Sequence, residues 1–96
     1  MDMSPIVVTD EARDYLLKKG TRQMRIEHAQ CGGWGGPEIR PAVLAGAPSD
    51  SEGYQYHQVD GLNIYISDKI KAQPSGIRIA LGGWGPFRFI TLEGAV

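Results

Sequence analysis

Apolar and polar positions divide the chain into short blocks whose period alternates between two residues and three to four. Ile6-Val7-Val8 is a β-branched run and reads as an opening strand. Thr9 then offers a hydroxyl N-cap, and Asp10 and Glu11 put negative charge in the first turn of a helix. Ala12, Tyr15, Leu16 and Lys19 recur at helical spacing, and Gly20 supplies the stop. From Gln23 to Ala29 the pattern alternates, with Met24, Ile26 and His28 on one face and Gln23, Arg25 and Glu27 on the other. Glu38 to Leu44 reads as a second strand, which Pro41 confines to an edge or a bulge.

Ala45 to Gly53 is rich in Gly, Ala, Pro, Ser and Asp and reads as an exposed loop. Tyr54–Val59 and Leu62–Ile66 flank Asp60-Gly61, the signal of a tight hairpin whose turn needs positive φ twice. Ser67 is expected to cap a short second helix through Ile70, ending before Pro74. Ile77, Ile79 and Leu81 mark one more alternating strand, and Phe87 to Leu92 the last. The order predicts an α+β fold with a compact, mostly antiparallel pair of sheets, one N-terminal helix and the short second helix. Met24, Ile26, Leu62, Ile64, Ile66, Ile77, Ile79 and Phe89 are the expected core; His28 continues its inward face and His57 is placed at the surface.

Composition narrows the function classes. Ninety-six residues suit a single domain over 1–96. A net charge of −1 gives no footprint for nucleic acid or an anionic membrane surface, and Lys18, Lys19, Arg22 and Arg25 read as solvated surface. No apolar run approaches a membrane span, and Met1-Asp2-Met3-Ser4-Pro5 lacks the basic start of a signal peptide, so a cytoplasmic location is expected.

Candidate chemistry centres on Cys31-Gly32-Gly33-Trp34-Gly35-Gly36-Pro37, which holds the only cysteine and one of two tryptophans. A near copy, Gly82-Gly83-Trp84-Gly85-Pro86, has Leu81 in the cysteine's place and reads as an independent tight loop between strands. Glycines leave backbone N–H groups uncovered, which favours a thiolate, whereas Trp34 and Trp84 favour burial. One cysteine excludes an internal disulfide and an all-cysteine zinc site. Gly32–Pro37 has no following Lys-Ser/Thr and opens no helix, so it is not a phosphate cradle. A thiol enzyme needs His28 within hydrogen-bond reach of Cys31, which requires a bend after Ala29; amides of Gly32, Gly33 and Gly35 could then face an oxyanion. No cysteine-hydrolase signature accompanies the pair, so catalysis ranks third among the readings.

Ile6-Val7-Val8-Thr9-Asp10-Glu11-Ala12, Met24-Arg25-Ile26 leading into the Gly-rich cysteine loop, Val59-Asp60-Gly61-Leu62-Asn63-Ile64-Tyr65-Ile66, Ser67-Asp68-Lys69-Ile70 and Phe87-Arg88-Phe89 occur in this order. In that order the chain resembles the HesB-like, A-type iron–sulfur carrier family. The resemblance implies a two-sheet β fold with a peripheral helix, often dimeric, and places Cys31 near the family's loop cysteine. The Cys-x-Cys pair that the family's carriers have near the C-terminus is not in this sequence, and Cys31 stands between Gln30 and Gly32 instead of in an adjacent pair. Cluster ligation takes four thiolates, or two thiolates with two imidazoles. One chain offers one thiol and two imidazoles, so iron or an iron–sulfur cluster is expected only across a dimer, through Cys31 and, more weakly, His28, with no stable cluster on a monomer.

The first reading is a non-enzymatic carrier relative with one thiol for transient metal, persulfide or mixed-disulfide contact. The second is a structural or regulatory protein-binding module with no metal, whose loop surface of Gly32, Gly33, Trp34, Gly35 and Trp84 contacts a partner, either a second copy in a homodimer or another protein.

Overall fold

A computed structural model describes residues 6–31, 35–36 and 38–96, Cys31 through its backbone. After β1 (Ile6–Val8) comes α1 (Asp10–Lys18), then β2 (Gln23–Cys31), β3 (Glu38–Ala45), β4 (Tyr54–Val59), β5 (Leu62–Ser67), β6 (Ile77–Trp84) and β7 (Phe87–Glu93). They form a three-stranded sheet in the order β1-β6-β7 and a four-stranded sheet in the order β3-β2-β5-β4. The β2–β3, β4–β5 and β6–β7 pairs are antiparallel, while β1–β6 and β2–β5 run parallel. This is the expected mostly antiparallel two-sheet architecture.

Local chemistry accounts for most boundaries. The Thr9 side chain accepts the Ala12 N–H at 3.2 Å, capping α1 as its sequence position suggests. Asp60 and Gly61 both take positive φ, at 51° and 80°, as the hairpin turn between β4 and β5 requires. β3 lies at a sheet edge, where Pro41 withholds no ladder hydrogen bond from a second neighbour.

The core fills the space between the sheets. Val8, Ile77 and Ile79 from one sheet meet Met24, Ile26, Leu62, Ile64 and Ile66 from the other, and Ala12 and Leu16 of α1 close the cluster. Met24, Ile26, Leu62, Ile64 and Ile79 are fully buried, as their alternation predicts. No buried polar or charged side chain accompanies them among the described residues.

Several expectations need correction. Ser67–Ile70 is a turn, with no second helix. Ile70 N–H bonds the Ser67 carbonyl at 3.0 Å, but the next amide, Lys71, is taken by the Val96 carbonyl at 3.1 Å, so the helix cannot propagate. Phe89 is 56% exposed: Ile79↔Leu92 and Leu81↔Ile90 are the core-side pairs of β6–β7, and Phe89 falls one residue out of phase with them. His28 is exposed, because β2 outruns the buried cluster that ends near Ile26. His57 is half-buried instead of superficial, directly opposite Ile64 on the core side of β4. Gly82, Gly83 and Trp84 are strand residues, and the turn is confined to Gly85-Pro86. No helix among the described residues is long and apolar enough to cross a membrane.

Candidate functional site

β2 and β3 form a hairpin whose far end carries the cysteine. β2 continues unbroken past Ala29, where its prediction stopped, and Cys31 closes it with its Cα paired to Glu38. Gly35 and Gly36 lie in the connection, Gly35 exposed and Gly36 at φ 102°. Gly32, Gly33 and Trp34 of the candidate surface, and the Cys31 side chain, lie outside the described residues. Around them Gln30, Glu38 and Ile39 are all exposed, Ile39 at 71%. The hairpin end is therefore open to solvent on the residues that flank the thiol.

The histidines are not brought together. His57 is level with Ile64 on β5, and Ile64 is level with Met24 on β2. His28 stands four residues beyond Met24, about 13 Å along the strand, and two strand spacings of about 4.8 Å separate β2 from β4. The two imidazole positions are thus roughly 16 Å apart. Nor does the chain bend after Ala29: three residues of extended strand set the Cα atoms of His28 and Cys31 about 10 Å apart. The bend that a Cys–His catalytic pair needs is not made. Among the described residues no group of three or more His, Cys, Asp and Glu side chains is placed to hold a metal ion.

Trp84 stands at the tip of the β6–β7 hairpin, 76% exposed, its ring edge-on to Phe87 at 6.2 Å and 72°. Phe89, beside it, would touch a Cβ at Gly82 at 2.9 Å, so the missing side chain makes room for the ring.

A polar cluster on the outer face of the four-stranded sheet escaped the sequence reading. Arg25 Nε donates to Glu27 Oε1 at 2.8 Å, Tyr54 OH donates to the same oxygen at 2.8 Å, and Arg25 Nη1 donates to the Ala45 carbonyl at 2.9 Å. Arg25 and Glu27 share a face at i, i+2, which was legible. Tyr54 arrives through β5, a long-range pairing that no local pattern marks. The Glu27 carboxylate holds the phenolic proton and raises Tyr54 above the ordinary tyrosine range, helped by partial desolvation and by the carboxylate's charge. Beside it Ser49, Asp50 and Glu52 border an open concavity of about 570 Å³. Its Asp50 and Glu52 side chains are exposed, and its one guanidinium is engaged with the Glu27 carboxylate.

A second, smaller concavity of about 290 Å³ lies where α1 meets β3 and β7, over Leu16, Met24 and Val43. Tyr15 OH donates to the Arg88 carbonyl at 3.2 Å and receives Lys19 Nζ at 2.9 Å. Arg88 reaches Glu11 at 3.6 Å, which ties the helix to the last strand. These contacts read as a clasp between elements.

The fold has a solved counterpart. The crystal structure of Escherichia coli SufA, involved in biosynthesis of iron–sulfur clusters, is similar over 98% of this chain and 83% of that one, with a TM-score of 0.63 and 16% sequence identity. At that identity the likeness is one of fold, and it bears out the HesB-like architecture. No curated protein matches the chain. The profile of the CC/Se motif containing family matches residues 4–95, although this sequence has one cysteine and so no Cys-Cys pair. By a match that spans nearly its whole length, the chain belongs to the CC/Se motif containing family.

Proposed function

We propose that this chain is a non-enzymatic HesB-like protein related to iron–sulfur cluster biogenesis, with Cys31 making transient contact with a metal, a persulfide or another thiol. The observation that carries this reading is the likeness of nearly the whole chain to a protein involved in biosynthesis of iron–sulfur clusters. Its only cysteine closes β2 among exposed neighbours, where a passing partner could be met. Iron or a cluster is cargo in this reading. One chain supplies one thiol and two imidazoles that its own sheet keeps apart, so retention takes two chains, each contributing Cys31. Mixed-disulfide contact needs the Cys31 thiolate to displace one sulfur of a partner's disulfide, which departs as a thiolate.

Isolation without air, with iron, sulfide and molar mass measured together, tests the proposal. The monomer is expected to carry no stable cluster. A dimer with one metal per two chains, lost in Cys31→Ser, supports shared ligation. Near-stoichiometric iron and sulfide on a monomer overturns the ligand count. A metal-free protein-binding module is the second reading, favoured by the exposure of Trp84.

A further inference from the structure

Alternation along β7 puts Arg88 on the inward face with Ile90 and Leu92, one step beyond the packed cluster. There it lines the concavity of about 290 Å³ between α1, β3 and β7. Buried Leu16 and Met24 form the floor of that hollow, Val43 and Ile90 add apolar wall, and exposed Lys19 stands at its mouth. Tyr15 OH joins the two cationic residues, accepting from Lys19 Nζ at 2.9 Å and donating to the Arg88 carbonyl at 3.2 Å. No carboxylate lines the hollow, and Lys19 has no ion pair among the described residues. Arg88 is itself poorly satisfied. Its Nη2 reaches Glu11 only at 3.6 Å, beyond the roughly 2.7–2.9 Å of a charge-assisted hydrogen bond, and that carboxylate is 77% exposed. Its Nε is shut off from water and donates to nothing, so the donor is desolvated without return.

We propose that this hollow binds a small amphipathic monocarboxylate, its head on Arg88 and Lys19 and its apolar body over Leu16, Met24, Val43 and Ile90. Three properties favour that ligand. The first is the donor set. Nε and Nη2 lie along one edge of the guanidinium and match the two oxygens of a carboxylate, so a side-on pair would use the idle Nε and replace the long contact to Glu11. Reaching Nε takes a small swing of a side chain that only this exposed, weak ion pair holds, and Glu11 returns to water at little cost. The second is charge. Two cations and no acid line the hollow, which favours an anion and disfavours an amine. The third is size and polarity. At about 30 Å³ for each water in the liquid, the volume suits a ligand of roughly ten non-hydrogen atoms. A bare inorganic anion would leave the apolar floor uncovered, whereas a short alkyl or aryl carboxylate covers it.

The inference stands apart from the thiol. Octanoate is the probe, titrated into the full chain near neutral pH while backbone amide NMR shifts are followed. Saturable shifts are expected at Leu16, Thr21, Val43 and Ile90, with a Kd of about 1 mM or below. Octanol and octylammonium, which keep the tail and change the head, should each bind at least about tenfold more weakly, and so should acetate, which keeps the head alone. Arg88→Gln should weaken octanoate about tenfold or more. Because that change also unties β7 from α1, Lys19→Gln, at an exposed position, provides the second variant and should weaken binding in the same direction. Glu11→Gln, which removes the competing carboxylate, should tighten it, and Cys31→Ser should leave it unchanged. The absence of saturable shifts up to about 10 mM overturns the proposal, as do shifts centred on Trp84 and Phe87 instead. Octanol binding as tightly as octanoate, or indifference to both Lys19→Gln and Arg88→Gln, would reduce the hollow to an apolar gap and overturn it equally.

Discussion

Gly83 and Gly85 sit two residues apart and both take positive φ, at 84° and 60°, yet they answer to different constraints. A Cβ on Gly85 meets nothing within 4 Å, so its requirement is the turn alone: a glycine followed by Pro86, the pattern of a two-residue hairpin with glycine first. A Cβ on Gly83 would lie 1.8 Å from the Phe87 carbonyl oxygen, across the strand pair. Gly83→Ala should therefore cost more than the roughly 1–3 kcal/mol of backbone strain alone, and Gly85→Ala about that strain and no more. Denaturant titration of the two variants measures the difference; equal losses would remove the close approach as a cause. Tyr54 makes the second residue-level case. Its folded pKa is raised by the bond to Glu27, so the contribution to stability is present below the unfolded value near 10 and is lost as pH rises through the folded one. Glu27→Gln should bring the last-titrating phenol back toward the ordinary range in an ultraviolet titration. Tyr54→Phe should remove that component, and a titration unchanged by either substitution would dissociate Tyr54 from Glu27.

At the scale of elements, what was legible followed from local chemistry. α1 was readable because its cap, its charges and its apolar stripe all lie within ten residues, and the β4–β5 hairpin because Asp60-Gly61 dictates its own turn. Ser67–Ile70 was not, because its first turn does form and only the return of Val96 stops it. Phe89 misled for a related reason. In Phe87-Arg88-Phe89-Ile90-Thr91-Leu92 both phases of the alternation are apolar, and which one faces inward depends on pairing with Ile79 and Leu81. Where one phase is plainly apolar, as in Leu62-Asn63-Ile64-Tyr65-Ile66, face and burial agree. Ile64→Ala, at a fully buried position between both sheets, is expected to cost about 2–5 kcal/mol. A loss below about 1 kcal/mol would mean that the core can collapse around the deletion.

At the scale of the whole molecule, the sheets are longer than the core that joins them. β2 is buried at Met24 and Ile26 and exposed at His28 and Gln30, and β3 opposite it is exposed at Ile39. Strand length near the core holds the fold together, and β2 continues beyond that core to the backbone of Cys31. The position of the cysteine at a strand end could be read from its sequence. The failure of His28 to join it could not, because that depended on whether the strand bent after Ala29, and pairing with Arg40, Ile39 and Glu38 keeps it straight. Thiol exchange needs a thiolate and access to it, with no general base held beside it. If that is its task, it must be met from solvent. Gln30, Gly35 and Glu38 around it are exposed, so Cys31 should be alkylated by iodoacetamide in the native state at a rate that rises with pH as the thiolate forms. Its rate should also be little changed by mild denaturant, because access needs no unfolding. A cysteine that reacts only once the chain unfolds would make Cys31 a packing residue and sink the carrier reading, leaving the metal-free protein-binding reading that the exposure of Trp84 favours.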